Sequence, residues 1–243
     1  MIADLRQLWQ EAFGDSQETL DAFFATGFSS ERCHFLVENE IPVSALYWFD
    51  CALGGKKLAY IYAVATKKSH RGKGFAARLM EETHSLLREK GYAGAILVPG
   101  EESLFAYYEK LGYRAATKVE GFTATVAESP VSVREISPAE YACLRKNYLP
   151  NGGVLQEGET LSYLATYARF YKGEDFLLSA SHQGESLLVH EFLGNTDICG
   201  NILCALGFSR GVFRTPGNGR DFAMLFSLIE DCPVPTYFGL ALD

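Results

Sequence analysis

The stretch with the most chemical content is residues 63–77, AVATKKSHRGKGFAA. Ala63-Val64-Ala65-Thr66 ends a β-rich run, and Phe75 opens a segment with helical periodicity. Between them lie four Lys/Arg residues (Lys67, Lys68, Arg71 and Lys73) and two glycines. Gly72 and Gly74 remove side chains where the backbone must turn sharply. Their amides, with those of Lys73, Phe75 and Ala76, can converge at the head of the following helix. The helix dipole and the Arg71 and Lys73 charges then favour an anion such as phosphate. The third glycine of the dinucleotide fingerprint is missing, and the G-x-x-x-x-G-K-[ST] loop is absent. On spacing alone, a solvated basic loop with a glycine turn explains these residues equally well.

Other reactive side chains carry less by themselves. Leu104, Tyr108 and Leu111 fall at i, i+4 and i+7, so spacing makes Tyr108 a core residue; Tyr107 points to a different helical face. Glu101 and Glu102 open a helix, where a carboxylate compensates the dipole. Glu38 and Glu40 fall in a turn and are expected to be solvated. His70 reads as a loop residue beside the anion site, not as a base. The six cysteines (33, 51, 143, 199, 204 and 232) form no C-x-x-C pair, and the five histidines show no ligand spacing with them. No zinc site or disulfide framework is expected, only scattered buried thiols.

These residues must be positioned by a chain of 243 residues, about right for two small domains. Hydrophobic residues make up 48% and charged residues 21%, which excludes intrinsic disorder. No apolar run approaches the roughly 20 residues of a membrane span, and the first residues do not read as a signal peptide. The net charge of −8 argues against general nucleic-acid binding and suits a cationic or amine-bearing substrate. Helices are expected at 3–13 and from Asp15 or Ser16 to about Gly27. Strands follow at 34–38, 43–49 and 57–66. A helix from Phe75 to Gly91, a strand at 95–98, a helix at 101–111 and an extended stretch at 113–126 complete the half. The order α-α-β-β-β-α-β-α-β fits a mixed sheet with helices packed on it. Glu128-Ser129-Pro130 is the expected domain boundary. Residues 131–243 look like a weaker echo: a strand at 133–136, helices at 138–148 and 160–171, a hairpin at 176–192 and a helix at 197–206. Phe35-Leu36-Val37 and Ala45-Leu46-Tyr47 find counterparts in Phe176-Leu177-Leu178 and Leu187-Leu188-Val189.

Arg71-x-x-Gly74-x-Ala76, between a strand and a helix, resembles the R/Q-x-x-G-x-G/A motif of the GCN5-related N-acetyltransferases. Tyr107-Tyr108-Glu109-Lys110-Leu111-Gly112-Tyr113 resembles that family's final motif, an aromatic pair followed by E-K-L-G-F/Y. One helix and one strand fit between the two, as the family requires. The resemblance covers residues 1–128, and 131–243 only as a degenerate second copy. It implies an α+β fold with a mixed, mostly antiparallel sheet flanked by helices, in tandem with a divergent second α+β domain.

The implied activity is transfer of an acetyl group from acetyl-CoA to the primary amine of a small molecule or peptide. The rival reading is a non-catalytic CoA-binding or regulatory module with the same fold. By the resemblance, the CoA pyrophosphate lies on Arg71, Gly72, Lys73, Gly74, Phe75 and Ala76. The pantetheine arm pairs with the backbone of Val64, Ala65 and Thr66, which also supplies the oxyanion donor. Tyr108 is the implied catalytic acid, with Tyr107 as fallback, and no metal is implied. Some tandem members use a chain-terminal carboxylate as base, and this sequence ends at Asp243. Residues 194–200 stand where a second cofactor loop would be but lack a basic residue, so the second half is expected to bind no CoA and to complete the acceptor cleft. Arg210, Arg214 and Arg220 with Pro216-Gly217-Asn218-Gly219 form a loop that could bind an anion or simply connect strands, and the connector is the favoured reading. The expected location is cytoplasmic, without membrane or nucleic-acid partners.

Overall fold

The computed structural model describes residues 1–242. Two compact units divide the chain, Met1–Arg114 with Met224–Pro233, and Ala115–Ala223 with the segment that begins at Val234.

The first unit opens with α1 (Ile2–Phe13), which buries Leu5, Leu8 and Trp9 on one face and ends at Gly14 in the left-handed region. In α2 (Gln17–Thr26) the cap is Ser16, whose hydroxyl accepts from the Thr19 amide. The strands β1 (Cys33–Glu38), β2 (Ile41–Leu53) and β3 (Lys56–Thr66) form an antiparallel meander. After β3 come α3 (Phe75–Glu89), β4 (Gly94–Leu97) and α4 (Ser103–Lys110). β4 runs parallel to β3, as a strand–helix–strand crossover requires. The short β5 (Arg114–Ala115) leads out of the unit.

The second unit continues with β6 (Lys118–Thr125), β7 (Arg134–Ile136), α5 (Pro138–Tyr148), β8 (Leu155–Gln156) and α6 (Glu159–Leu164). Then follow β9 (Arg169–Lys172), β10 (Leu177–Gln183), β11 (Ser186–Leu193), α7 (Cys199–Leu206), β12 (Arg210–Pro216) and β13 (Arg220–Asp221). The last strand, β14 (Met224–Ser227), belongs to the first unit.

The Glu128-Ser129-Pro130 break is therefore not where the compact units divide. A strand belongs to the sheet that satisfies its backbone, and the partners of β6 are β12 and β13. Conversely, β14 pairs antiparallel with β4 and lies between β4 and β5. The two sheets share one pattern. In each, a hairpin (β2–β3 or β10–β11) leads through a helix (α3 or α7) to a parallel strand (β4 or β12). Beside that strand lies an antiparallel one from elsewhere in the sequence (β14 or β6). By this topology β10–β11 matches β2–β3, one strand later than the β1–β2 match the apolar pattern suggests. The expected helix at 160–171 also splits, into α6 and β9. Arg169–Lys172 pairs with both β7 and β10, so sheet hydrogen bonding overrides its helical spacing.

The first unit packs α3 on one face of its sheet through Leu79, Met80 and Leu87, against Leu46, Trp48, Ile61 and Ala95. On the other, Leu5 and Leu8 of α1 meet Ala45 and Ala65, beside an aromatic cluster of Trp9, Phe23, Tyr47 and Tyr62. The second unit buries Leu178, Leu187, Phe192, Ile202, Leu203 and Phe213. It also buries an ion pair, in which Arg145 donates to both Glu191 oxygens at 2.6 and 2.8 Å and the Tyr141 hydroxyl donates to Glu191 at 2.7 Å.

Among the described residues no helix is long and apolar enough to cross a membrane, and no group of His, Cys, Asp or Glu could hold a metal ion. Cys51 and Cys199 are buried thiols outside any disulfide, but Cys143 is exposed, because it falls on the solvent side of α5.

His84 on α3 links this packing to pH. It is stacked on Phe226, with centroids 3.9 Å apart, and shares a hydrogen bond of 2.9 Å with the Tyr113 hydroxyl. Burial, aided by the Arg88 charge, lowers its pKa to about 4. Below the ordinary value of about 6.5 the unfolded chain binds a proton that the folded one refuses. The neutral ring's contribution, about 3 kcal/mol, is thus present above about pH 6.5 and lost as pH falls towards about 4. Urea unfolding across that window should show this loss in the native chain and a flatter profile in His84→Phe.

Candidate active site

The site begins where two strands part. Parallel pairing of β3 with β4 covers Leu58↔Gly94, Ala59↔Ala95 and Tyr60↔Ile96 and then ends. β3 itself continues to Thr66, paired with β2 through Tyr47↔Tyr62, Ala45↔Ala65 and Ser44↔Thr66. From Ile61 onward the β4-side edge of β3 therefore presents backbone donors and acceptors without a strand partner among the described residues. Unpaired edge groups of this kind are a template for an extended ligand.

The same segment carries a bulge. The β2–β3 register shifts between Ala45 and Tyr47, and Ala63 opposite has a φ of +49°. An alanine in the left-handed region costs roughly 1–2 kcal/mol, and such strain collects at functional sites. The strained stretch is well braced. The Ser44 hydroxyl donates to the Ala65 carbonyl at 3.0 Å and lies 2.8 Å from the Thr66 hydroxyl.

Beyond Thr66 the chain is tied to its surroundings on several sides. The Lys67 amide donates to Val43 at 2.9 Å, and the Lys68 amide to the Glu11 carboxylate of α1 at 2.7 Å. Arg71 Nε donates back to the Thr66 carbonyl at 3.1 Å, closing the loop on itself. His70 lies 2.9 Å from Glu38 of β1 and 2.8 Å from the Ser69 hydroxyl, with its ring edge-on to Phe75.

Gly72 and Gly74 both sit in the left-handed region, at φ of +74° and +82°, with open space where a side chain would project. The first intrahelical bond of α3 runs from the Arg78 amide to Gly74 at 3.0 Å. The amides of Phe75, Ala76 and Ala77 are thus left at the helix mouth, as at any helix start. The loop offers an anion free amides, a helix dipole and the exposed cations Arg71 and Lys73.

Tyr108 lies in the apolar cluster that also holds Val64 of β3, Phe75 of α3 and Tyr107. It is 9% exposed, and burial pushes its hydroxyl up to about 12, reinforced by Tyr107. Core residue and site residue are therefore compatible: the ring packs on Tyr107 and Tyr113, while no protein group among the described residues bonds the hydroxyl. Tyr107 is half-buried.

The remaining candidates fall elsewhere. Glu101 accepts from Ser103 at the exposed head of α4, and Glu102 and Glu40 are exposed. Glu38 and His70 are engaged with each other. Asp243 lies outside the described residues. Arg214 and Arg220 both rest on the Phe222 ring, at 4.7 and 5.4 Å, in strands joined by the connector 217–219.

The second unit treats the equivalent place differently. Pairing of β11 with β12 ends at Val189↔Phe213, so the strands part here too. The Thr215 hydroxyl, however, donates to the Phe192 carbonyl at 2.8 Å across that gap. Gly194 is packed against Phe176, and Gly200 against Thr125 and Ala127, where side chains would clash. No open pair of glycines faces the mouth of α7.

Residues 2–116 match the family model described as an acetyltransferase (GNAT) domain. That match spans just under half of the 243 residues. Solved structures agree in fold across both units. The GCN5-related N-acetyltransferase from Kribbella flavida is 18% identical, with a TM-score of 0.71 over 93% of this chain and 69% of that one. Its counterpart from Anabaena variabilis is 14% identical, with a TM-score of 0.72 over 94% and 70%. Eis1 from Mycobacterium abscessus is 12% identical, with a TM-score of 0.66 over 91% and 70%. No curated protein matches in sequence. In the first unit, sequence reasoning misses the left-handed Ala63 and the braces Ser44 and Glu11. An alanine carries no sign of positive φ, and the braces come from distant segments.

Proposed function

We propose that this chain transfers an acetyl group from acetyl-CoA, as donor substrate, to a primary amine. The observation that supports this most is a juxtaposition. The unpaired edge of β3 runs directly into the open Gly72–Gly74 turn at the head of α3, and Tyr108 shares its apolar cluster with Val64 and Phe75. In this reading Arg71, Gly72, Lys73, Gly74, Phe75 and Ala76 receive the pyrophosphate. The backbone of Val64, Ala65 and Thr66 pairs with the amide-bearing arm.

The chemistry needs a neutral amine, and an alkylammonium titrates near pH 10 like lysine. Its nitrogen then attacks the thioester carbonyl carbon, and the carbonyl pair becomes an oxyanion. An N–H of the 64–66 backbone, fixed by the bulge, would stabilise that charge. Collapse breaks the C–S bond, the proton on nitrogen passes to solvent water, and the sulfur leaves as thiolate. Tyr108 is the proposed acid at the sulfur. Its raised pKa keeps it protonated at neutral pH. A thiol ionises near 8.5, so Tyr108 serves mainly by donating a hydrogen bond to the departing sulfur as charge develops.

Two experiments test the reading. Acetyl-CoA should raise the melting temperature, by roughly 2.7 kcal/mol of stabilisation at a hundredfold excess over Kd. Gly74→Glu should remove that response, because it places a carboxylate among the phosphate donors. An unchanged response would take the loop out of the account. Tyr108→Phe, followed by free-thiol release with a panel of amines, should lower kcat about a hundredfold with acetyl-CoA affinity kept. Equal turnover would return Tyr108 to a purely packing role. Acetyl-CoA binding with no thiol release from any amine would favour a non-catalytic module.

A further inference from the structure

The place that holds the anion loop in the first unit holds a cavity in the second, and its charge is reversed. This cavity measures about 760 Å³ and is lined by Glu120, Phe122 and Ala124 of β6, by Thr215 and Gly217, and by residues at the head of α7 that include Asp197 and Asn201. It runs along residues 120–127 beside the head of α7 and reaches the carboxyl end of β12 at Thr215–Gly217. Its lining contains two carboxylates and no Lys, Arg or His.

Asp197 alone would mean little, since a carboxylate before a helix compensates the dipole. Glu120 has no such explanation. It stands opposite Thr215 on the exposed end of β6, and no basic side chain pairs with it among the described residues. Of the nearby cations, Lys118 shares the face of Glu120 but is paired with Asp221 at 2.8 Å, and the two arginines are turned away by the pleat. Arg214 stands opposite Gly121 and Arg220 opposite Val119. Both therefore share the other face of the sheet, where they cover Phe222. The Glu120 carboxylate rests against the backbone of the 217–219 turn, which the glycines permit. A side chain at Gly219 would start 2.8 Å from both carboxylate oxygens, and one at Gly217 would start 2.5 Å from the Glu120 Cβ. Next to this charge lies an apolar wall, Phe122 stacked on Phe213 with centroids 5.4 Å apart, followed by Ala124.

We propose that this cavity binds an organic ammonium ion, its charged head at Glu120 in the negative field of Asp197 and its apolar body along Phe122 and Ala124. An unpaired carboxylate beside an aromatic face recognises an alkyl- or arylalkylammonium. Phosphate is disfavoured by the same two charges. The site lies wholly within the second unit and does not depend on the transferase reading.

The test uses the full chain and 2-phenylethylammonium as probe, with 2-phenylethanol and phenylacetate as neutral and anionic counterparts. Titration followed by methyl NMR should shift the Ala124 and Val126 methyls with the ammonium only, and added salt should weaken binding. Glu120→Gln should weaken it about fivefold. Ala124→Trp, which fills the cavity, should abolish it, with thermal melts confirming that both variants fold. Asp197→Asn is the second charge variant should Glu120→Gln fail to fold, and should also weaken binding. Equal binding by phenylacetate, no movement of the Ala124 and Val126 methyls, or an undiminished affinity in the charge variants would each overturn the proposal.

Discussion

Parallel strands β3 and β4 stay hydrogen-bonded only as far as Tyr60 and Ile96, and the candidate active site depends on that early parting. A backbone edge left without a partner is costly inside a protein and tolerable where water or a ligand supplies the missing bonds. The surrounding residues hold that edge in place. Ser44 braces Ala65 and Thr66 from β2, and Arg71 returns to the Thr66 carbonyl. Glu11 and Glu38 anchor the loop from α1 and β1. The left-handed Ala63 is held by its neighbours on β2. Pre-organisation of this kind lets a few amides act on a charge without reorganising first.

The second unit shows what the same topology becomes when the gap is closed from within. Thr215 bonds the Phe192 carbonyl across it. The neighbouring Glu191, on the strand equivalent to β3, is taken by Arg145 and Tyr141. Where α3 begins with open glycines, the head of α7 is packed against Thr125 and Ala127 through Gly200. Similar strand order therefore does not carry similar binding chemistry. That chemistry lies in which backbone groups are left free and which charges stand beside them.

Much of the first unit was legible because its signals are local. Periodicity gives α1, α3 and α4, β-rich runs give the meander, and the strand–glycine–helix sequence around Arg71–Ala76 gives the loop. Tyr108 was legible only in part. Its spacing marks a core residue, the motif marks a site residue, and the structure gives it the surroundings of both. The domain boundary was not legible. Glu128-Ser129-Pro130 marks a turn of the chain, but the sheet that β6 joins is decided by β12, far along the sequence. The same holds for β14, whose partner β4 precedes it by more than half the chain. The acidic cavity was hidden for a related reason. Residues 194–200 show what is missing there, whereas Glu120 comes from a strand that sequence reading assigns to the other half.

The proposed function places a single donor site in each chain, at the β3–α3 junction. Isothermal titration of the full chain with acetyl-CoA tests it most directly. One equivalent should bind per chain, displaced by free CoA, with protection from hydrogen exchange at the amides of residues 72–76. Two equivalents, or one equivalent that protects residues 194–200 and leaves 72–76 unchanged, would contradict it.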